Sequence, residues 1–248
     1  MKCLRGAIAM FILGSALMGT SSWAASDQTT NTRSVFELFT AEGCPYCPPA
    51  DKALNGFAQN PQIIALSCHV TYWDHLSSDS LARQFCTDRQ LHYSVNGGDK
   101  RRVYTPELVI NGKLSLVGSE TQSIQEALKG SITIPENIDL KLWGDNRLDI
   151  MLPNISGLSE NNVVTLITYG DDLETKIARG KNKGQTNHYT NPIIAIDYLS
   201  NDWDGAAHSL AVRVNNKSYN HPVKGYVVFV HKGPSHVGPI IAVGKLEL

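Results

Sequence analysis

Between Ser34 and Thr40 apolar and polar side chains alternate, the period of a half-buried strand. From Pro48 to Gln59 the pattern changes: Ala50, Ala53, Leu54, Phe57 and Ala58 recur at helical spacing, behind a proline suited to a first helical turn. The continuous apolar run at 63–70 reads as a second, buried strand. Leu81, Phe85, Arg89 and Leu91 are spread over the turns of a predicted helix from Asp79 to about Tyr93, broken by Asn96-Gly97-Gly98-Asp99. Two short apolar runs, 107–110 and 114–117, flank Asn111-Gly112, a strong hairpin signal. A helix at 121–128, capped by Ser119 or Thr121 and stopped by Gly130, closes this part.

Beyond Gly130 the period is two throughout. Ile138, Leu140 and Leu142 alternate with polar residues, and Gly144-Asp145-Asn146 turns the chain back through Leu148 and Ile150. Further strand-like runs occupy 163–169, 193–199, 209–214, 226–230 and 240–246, with turn residues between them and no convincing amphipathic helix. An all-β, sandwich-like domain over 131–248 is predicted.

The chemistry is concentrated in Cys44-Pro45-Tyr46-Cys47, set between the first strand and the first helix. With its strand, CxxC, helix, strand, helix, hairpin, helix order, the stretch 33–130 reads as an α/β thioredoxin-like domain. A thiol attacks only as thiolate, and a helix N-terminus together with the second thiol stabilises that anion. Cys44 is then the attacking group and Cys47 the resolving one. Pro48 and Pro49 donate no backbone N–H, so Cys44 sits in the turn before the regular helix. A zinc site would need two more ligands, and no second CxxC or HxxxH occurs. No cofactor is called for.

Thr105-Pro106 stands immediately before the predicted third strand, where a thioredoxin-like fold places a cis proline against the cysteine pair; a trans proline opening a strand is the plainer reading. In the first reading Thr105 pairs with the substrate backbone and Pro106 shields the sulfurs. Tyr46, between the cysteines, and Trp73, in the aromatic segment 69–75, are further substrate-contact candidates. Cys68 and Cys86 are candidates for a structural disulfide worth roughly 3 kcal/mol by the chain-entropy argument. Two inert thiols, or a shuttle pair serving Cys44 and Cys47, are the rival readings. Asp51, one turn into the helix, complements its dipole. The basic run Lys176, Arg179, Lys181, Lys183 reads as a solvated loop.

Lys2 and Arg5, a short apolar core from Ala7 to Met18 and the small residues around Ala24 form a signal peptide over 1–24, which removes Cys3. Four cysteines remain, an even number that fits an oxidising compartment, and the location expected is secreted or periplasmic, without stable membrane insertion. The whole chain carries 22 Lys+Arg against 23 Asp+Glu, and loss of the leader's two cations makes it slightly more acidic. That balance offers no case for nucleic acid.

Residues 39–51, Phe-Thr-Ala-Glu-Gly-Cys-Pro-Tyr-Cys-Pro-Pro-Ala-Asp, resemble the signature of an uncharacterised family of secreted bacterial thioredoxin-like proteins, which joins a CxxCPPAD element to a C-terminal β domain. Segments 69–74, 103–109, 177–184 and 238–242 resemble further blocks of it. The resemblance implies fold and export more firmly than a reaction, and Cys68 and Cys86 depart from the pattern. Pro-Tyr between the cysteines also occurs in glutaredoxins, but the match stops at those four residues.

The function expected is thiol–disulfide exchange with a protein or a low-molecular-weight thiol. Two alternatives stand beside it: a soft-metal module binding Cu(I) through Cys44, Cys47 and His69, and a non-catalytic binding scaffold.

Overall fold

The computed structural model describes residues 34–96, 103–130, 134–144, 146–158, 161–215 and 220–248. The expected leader 1–24, the expected helix break at 97–99 and the expected boundary at 131 lie outside these residues.

Strand β1 (Ser34–Thr40) is central in a four-stranded sheet ordered β2-β1-β3-β4. β2 (Ile63–His69) runs parallel to it, whereas β3 (Glu107–Ile110) and β4 (Leu114–Val117) continue antiparallel. Every residue of β1 and β2 is buried, so both faces of the sheet are covered. Phe36, Leu38, Ala65, Leu108 and Ile110 pack on one face against Ala50 and Leu54 of α1 (Pro48–Ala58) and Ile124 of α3 (Thr121–Lys129).

The opposite face meets a second sheet. Val35, Phe39, Ile64, Leu66, Cys68 and Val109 share a core with Ile167, Tyr169, Val227, Phe229 and Val243. These partners come from β8 (Asn162–Gly170), β13 (Val223–His231) and β14 (Ile240–Glu247). With β11 (Ile193–Trp203) and β5 (Glu136–Asn137) they form a five-stranded sheet ordered β11-β8-β13-β14-β5. Its far face, with Val164, Leu166, Val228 and Val230, packs on Leu140, Leu148 and Ile150. Those belong to a three-stranded sheet of β6 (Asp139–Trp143), β7 (Arg147–Leu152) and β12 (His208–Arg213). β9 (Leu173–Lys176) and β10 (Thr186–Tyr189) form a separate antiparallel arm.

The predicted class, an α/β thioredoxin-like domain followed by an all-β sandwich-like domain, is corrected by this arrangement. Strand accounts for 44% and helix for 17% of the described residues, so the chain is mostly β, with several small sheets and three helices. An α/β domain covers both faces of a largely parallel sheet with helices. Here β1–β2 and the short β14–β5 are the parallel pairs among the described strands, and antiparallel strands from the C-terminal half cover one face. Local periodicity over 33–130 cannot report which distant segment covers a face.

α2 (Gln84–Asn96) begins later than its apolar spacing predicts, because Asp79 is engaged elsewhere. Its carboxylate accepts from the His69 Nδ1–H (2.8 Å) and from the backbone N–H groups of Glu42 and Leu81 (3.0 Å each). Arg89 fastens α2 between the two sheets. Its guanidinium donates to Glu37 Oε1 on β1 (2.7 Å), to the His236 carbonyl (3.0 Å) and to His231 Nε2 on β13 (3.2 Å). Burial, then the Arg89 charge, push His231 down to about 3, so a neutral imidazole accepts from Arg89 while its Nδ1–H donates to the Gly238 carbonyl.

The Asn111-Gly112 turn has positive φ at both residues, 50° and 66°. A Cβ on Gly112 would lie 1.8 Å from the Gly238 carbonyl oxygen, so the turn also permits backbone contact between the halves.

Candidate functional site

Cys44 and Cys47 are joined by a disulfide in the turn between β1 and α1, with their Cα atoms 5.4 Å apart. Cys47 is the N-cap of α1, and its carbonyl accepts from the N–H groups of Ala50 (2.9 Å) and Asp51 (3.0 Å). Pro48 and Pro49 fill the first helical positions and contribute no donors, as their chemistry dictates. Both cysteines are 0% exposed, whereas Tyr46 between them is 73% exposed. The sulfurs are therefore covered while the loop tip projects outward.

Two segments pack against the loop that holds the cysteines. The Trp73 carbonyl lies so close to Gly43 that a Cβ there would meet it at 2.8 Å. Trp73 in turn donates from Nε1 to Thr105 Oγ1 (2.7 Å), which ties the aromatic segment to the loop before β3. The Thr105–Pro106 peptide bond is cis, and a Cβ on Gly118 would lie 3.4 Å from Pro106 and 3.1 Å from Ala50 of α1. The second of these segments is the arm between β9 and β10. Asn182, 3% exposed, donates from Nδ2 to the carbonyls of Glu42 (2.9 Å) and Cys44 (2.8 Å). Arg179 anchors this arm further by donating to the Ser77 carbonyl (3.0 Å).

Asn182 falls within the segment 177–184 that resembles a family block, but nothing local distinguishes it from other loop asparagines or assigns it a role. Replacing it with alanine removes two hydrogen bonds, each worth about 1 kcal/mol. Asn182→Ala is expected to speed reduction of Cys44–Cys47 by dithiothreitol about ten-fold, as the cover opens more often. Timed alkylation and mass measurement of the freed thiols checks this; an unchanged rate would mean Asn182 does not control access.

Buried ionisable groups gather where β1, the start of α1 and β2 meet. Thr40 donates from Oγ1 to Asp51 Oδ1 (2.7 Å), while Asp51 Oδ2 and His69 Nε2 are buried without a hydrogen-bond partner. Burial pushes the Asp51 carboxyl up to about 7, partly offset by His69 and Thr40. Burial also raises Glu42 to about 7, with the Asp79 charge adding to it. Burial works against charge on His69, but the Asp79 carboxylate overrides it and holds the imidazole above its ordinary value. Tyr189 closes the cluster with its ring edge-on to His69, centroids 4.4 Å apart. Asp51 thus does more than complement a helix dipole: it is a buried carboxyl, pushed up to about 7 by burial, one turn from Cys47.

Cys68 and Cys86 form a second disulfide linking β2 to α2, both residues fully buried. Among the described residues no group of three or more His, Cys, Asp or Glu is placed to hold a metal ion. No described helix is long and apolar enough to cross a membrane.

The fold is similar to that of protein AGR_C_4864 from Agrobacterium tumefaciens, with a TM-score of 0.72 and 24% identity over 87% of this chain and 94% of that one. It is also similar to HBP35 of Porphyromonas gingivalis, with a TM-score of 0.60 and 15% identity over 89% and 76% of the two chains. At these identities the likeness concerns the fold alone. No curated protein matches the chain. Residues 35–231 match the family model described as protein of unknown function (DUF1223), and the chain belongs to that family.

Proposed function

We propose that the protein exchanges disulfides through Cys44 and Cys47 in an exported, oxidising setting. The observation that carries this reading is a Cys-x-x-Cys disulfide at a helix start, one turn from a buried carboxyl that titrates near neutral pH. As a staple the bond would be the weaker of the two. By the chain-entropy argument a loop this short contributes roughly 2 kcal/mol, against roughly 3 for Cys68–Cys86. Two disulfides in one chain are typical of proteins outside the reducing cytosol.

In the oxidised form a substrate thiolate attacks Cys44 Sγ. The Cys44–Cys47 bond breaks, and Cys47 leaves as a thiolate and takes a proton. The second substrate thiolate then attacks the substrate sulfur of the mixed disulfide and releases Cys44. The substrate dithiol becomes a disulfide, and two electrons and two protons end on Cys44 and Cys47. The reverse sequence reduces a substrate disulfide. In this reading Thr105, Pro106 and Trp73 present the substrate, and Tyr46, 73% exposed, is the side chain it meets first.

An equilibrium titration of the Cys44–Cys47 pair against glutathione, read by alkylation and mass, tests the reading. A midpoint within the range of known dithiol exchangers, roughly −120 to −270 mV, is expected, with Cys44 alkylated first. A pair that stays oxidised under strong reduction would reduce it to a structural crosslink.

A further inference from the structure

Residues 176–184 contain Lys176, Arg179, Lys181 and Lys183 and no acidic residue, in a chain whose formal net charge is only −1. All four cations are exposed, yet Asn182 among them is pinned to the Cys44 carbonyl. The fold thus brings a concentrated positive charge to the rim of the dithiol. Beside it runs a cleft of about 720 Å³ between the start of α1 and β10, lined by Pro48, Lys52, Asn55, Gln185 and His188 among others. Lys52 is exposed on its α1 wall, and the basic stretch leads directly into Gln185 on the opposite wall. Of the nearby acids, Asp51 lines the cleft but is 3% exposed and bonded by Thr40, Asp172 lies 3.4 Å from Lys224 and 3.6 Å from His188, Glu174 stands opposite His188 across the arm, and Asp171 is exposed beside Asp172. The cleft follows α1 for about two turns, roughly 11 Å, the length of about three extended residues.

We propose that this cleft and the basic arm above it form a docking surface for an acidic, extended polypeptide segment, the substrate class of the dithiol. The assignment to a substrate rests on the exchange reading; the docking itself does not. Charge on an exposed rim steers encounter over about a Debye length, so the preference is strongest at low salt. The segment lies along α1 and meets the exposed Tyr46 at its end. Docking against the arm that carries Asn182 also couples partner binding to uncovering of the disulfide.

The test uses two fluorescent peptides of about ten residues, identical except for flanking Asp/Glu or flanking Lys, each with serine in place of cysteine. Anisotropy titrations with the mature chain are expected to show the acidic peptide bound about ten-fold tighter at about 20 mM salt, the ratio collapsing toward one near 1 M. In K181E/K183E, exposed substitutions that leave the core untouched, the ratio of the two affinities is expected to invert. Equal affinities, or a preference that survives K181E/K183E, would overturn the docking surface. Because these peptides cannot exchange disulfides, binding together with a failed glutathione titration would retire the exchange reading alone. Exchange of small dithiols without any peptide preference would retire the docking surface alone.

Discussion

Arg89→Met is expected to lower the free energy of unfolding by about 3–5 kcal/mol, read as a fall in the urea midpoint. The guanidinium is fully buried and satisfies the Glu37 carboxylate, the His236 carbonyl and the neutral His231 at once. Methionine fills much of the volume but leaves Glu37 as a buried charge whose closest remaining donor is the Tyr93 hydroxyl, at 2.8 Å. The large cost comes from that abandoned carboxylate rather than from the net worth of the pair. A double variant, Glu37→Gln with Arg89→Met, removes the charge and is expected to recover part of the loss. If Arg89→Met unfolds within about 1 kcal/mol of the parent, the network does not hold α2 and the two sheets together.

Asp51→Asn is expected to remove a pH dependence. The carboxyl sits at about 7 in the folded chain, mainly through burial, against about 4 when unfolded. The folded state therefore binds this proton more tightly, and the Asp51 contribution to stability falls as pH rises from about 4 to about 7. Integrated over that window the penalty reaches at most about 4 kcal/mol. His69 acts in the same direction. Its folded value is raised, so the stability it contributes is present below about 6.5 and is lost as pH climbs through the folded value. Glu42, also at about 7, adds to the trend, while Asp79 is held low by His69 despite its burial. Asparagine keeps an oxygen for Thr40 and cannot ionise. The variant is expected to match the parent near pH 4 and exceed it near pH 8, by up to about 4 kcal/mol less whatever His69 loses with its anionic neighbour. Urea unfolding at a series of pH values checks this; an unchanged slope between pH 5 and 8 would mean that Asp51 does not titrate there.

The disagreement over fold class has a definite origin. The alternation in β1 reads as a strand with one solvated face, yet all seven of its residues are buried. Polar residues that imply solvent in a linear reading are satisfied internally: Glu37 by Arg89, and Thr40 by Asp51. The same effect hides the α2 start, because Asp79 belongs by spacing to a helix and by contact to His69. The arm of β9 and β10, short and polar, carries no periodic signal, although it covers the dithiol.

The local elements are legible in the residue order alone: the strand before the cysteines, the proline-led helix after them, the Asn-Gly hairpin and the strand-like runs beyond Gly130. Each depends on neighbours a few residues apart, where periodicity, proline geometry and turn preferences act directly. Only the tertiary structure decided that the second sheet covers the first, that both cysteines are buried, and that a basic arm stands over them. Those outcomes rest on pairs such as Asn182 with Cys44, 138 residues apart, and Arg89 with His231, 142 apart. Burial, charge and hydrogen bonding between such residues come into being when the chain closes on itself, and no local pattern encodes them.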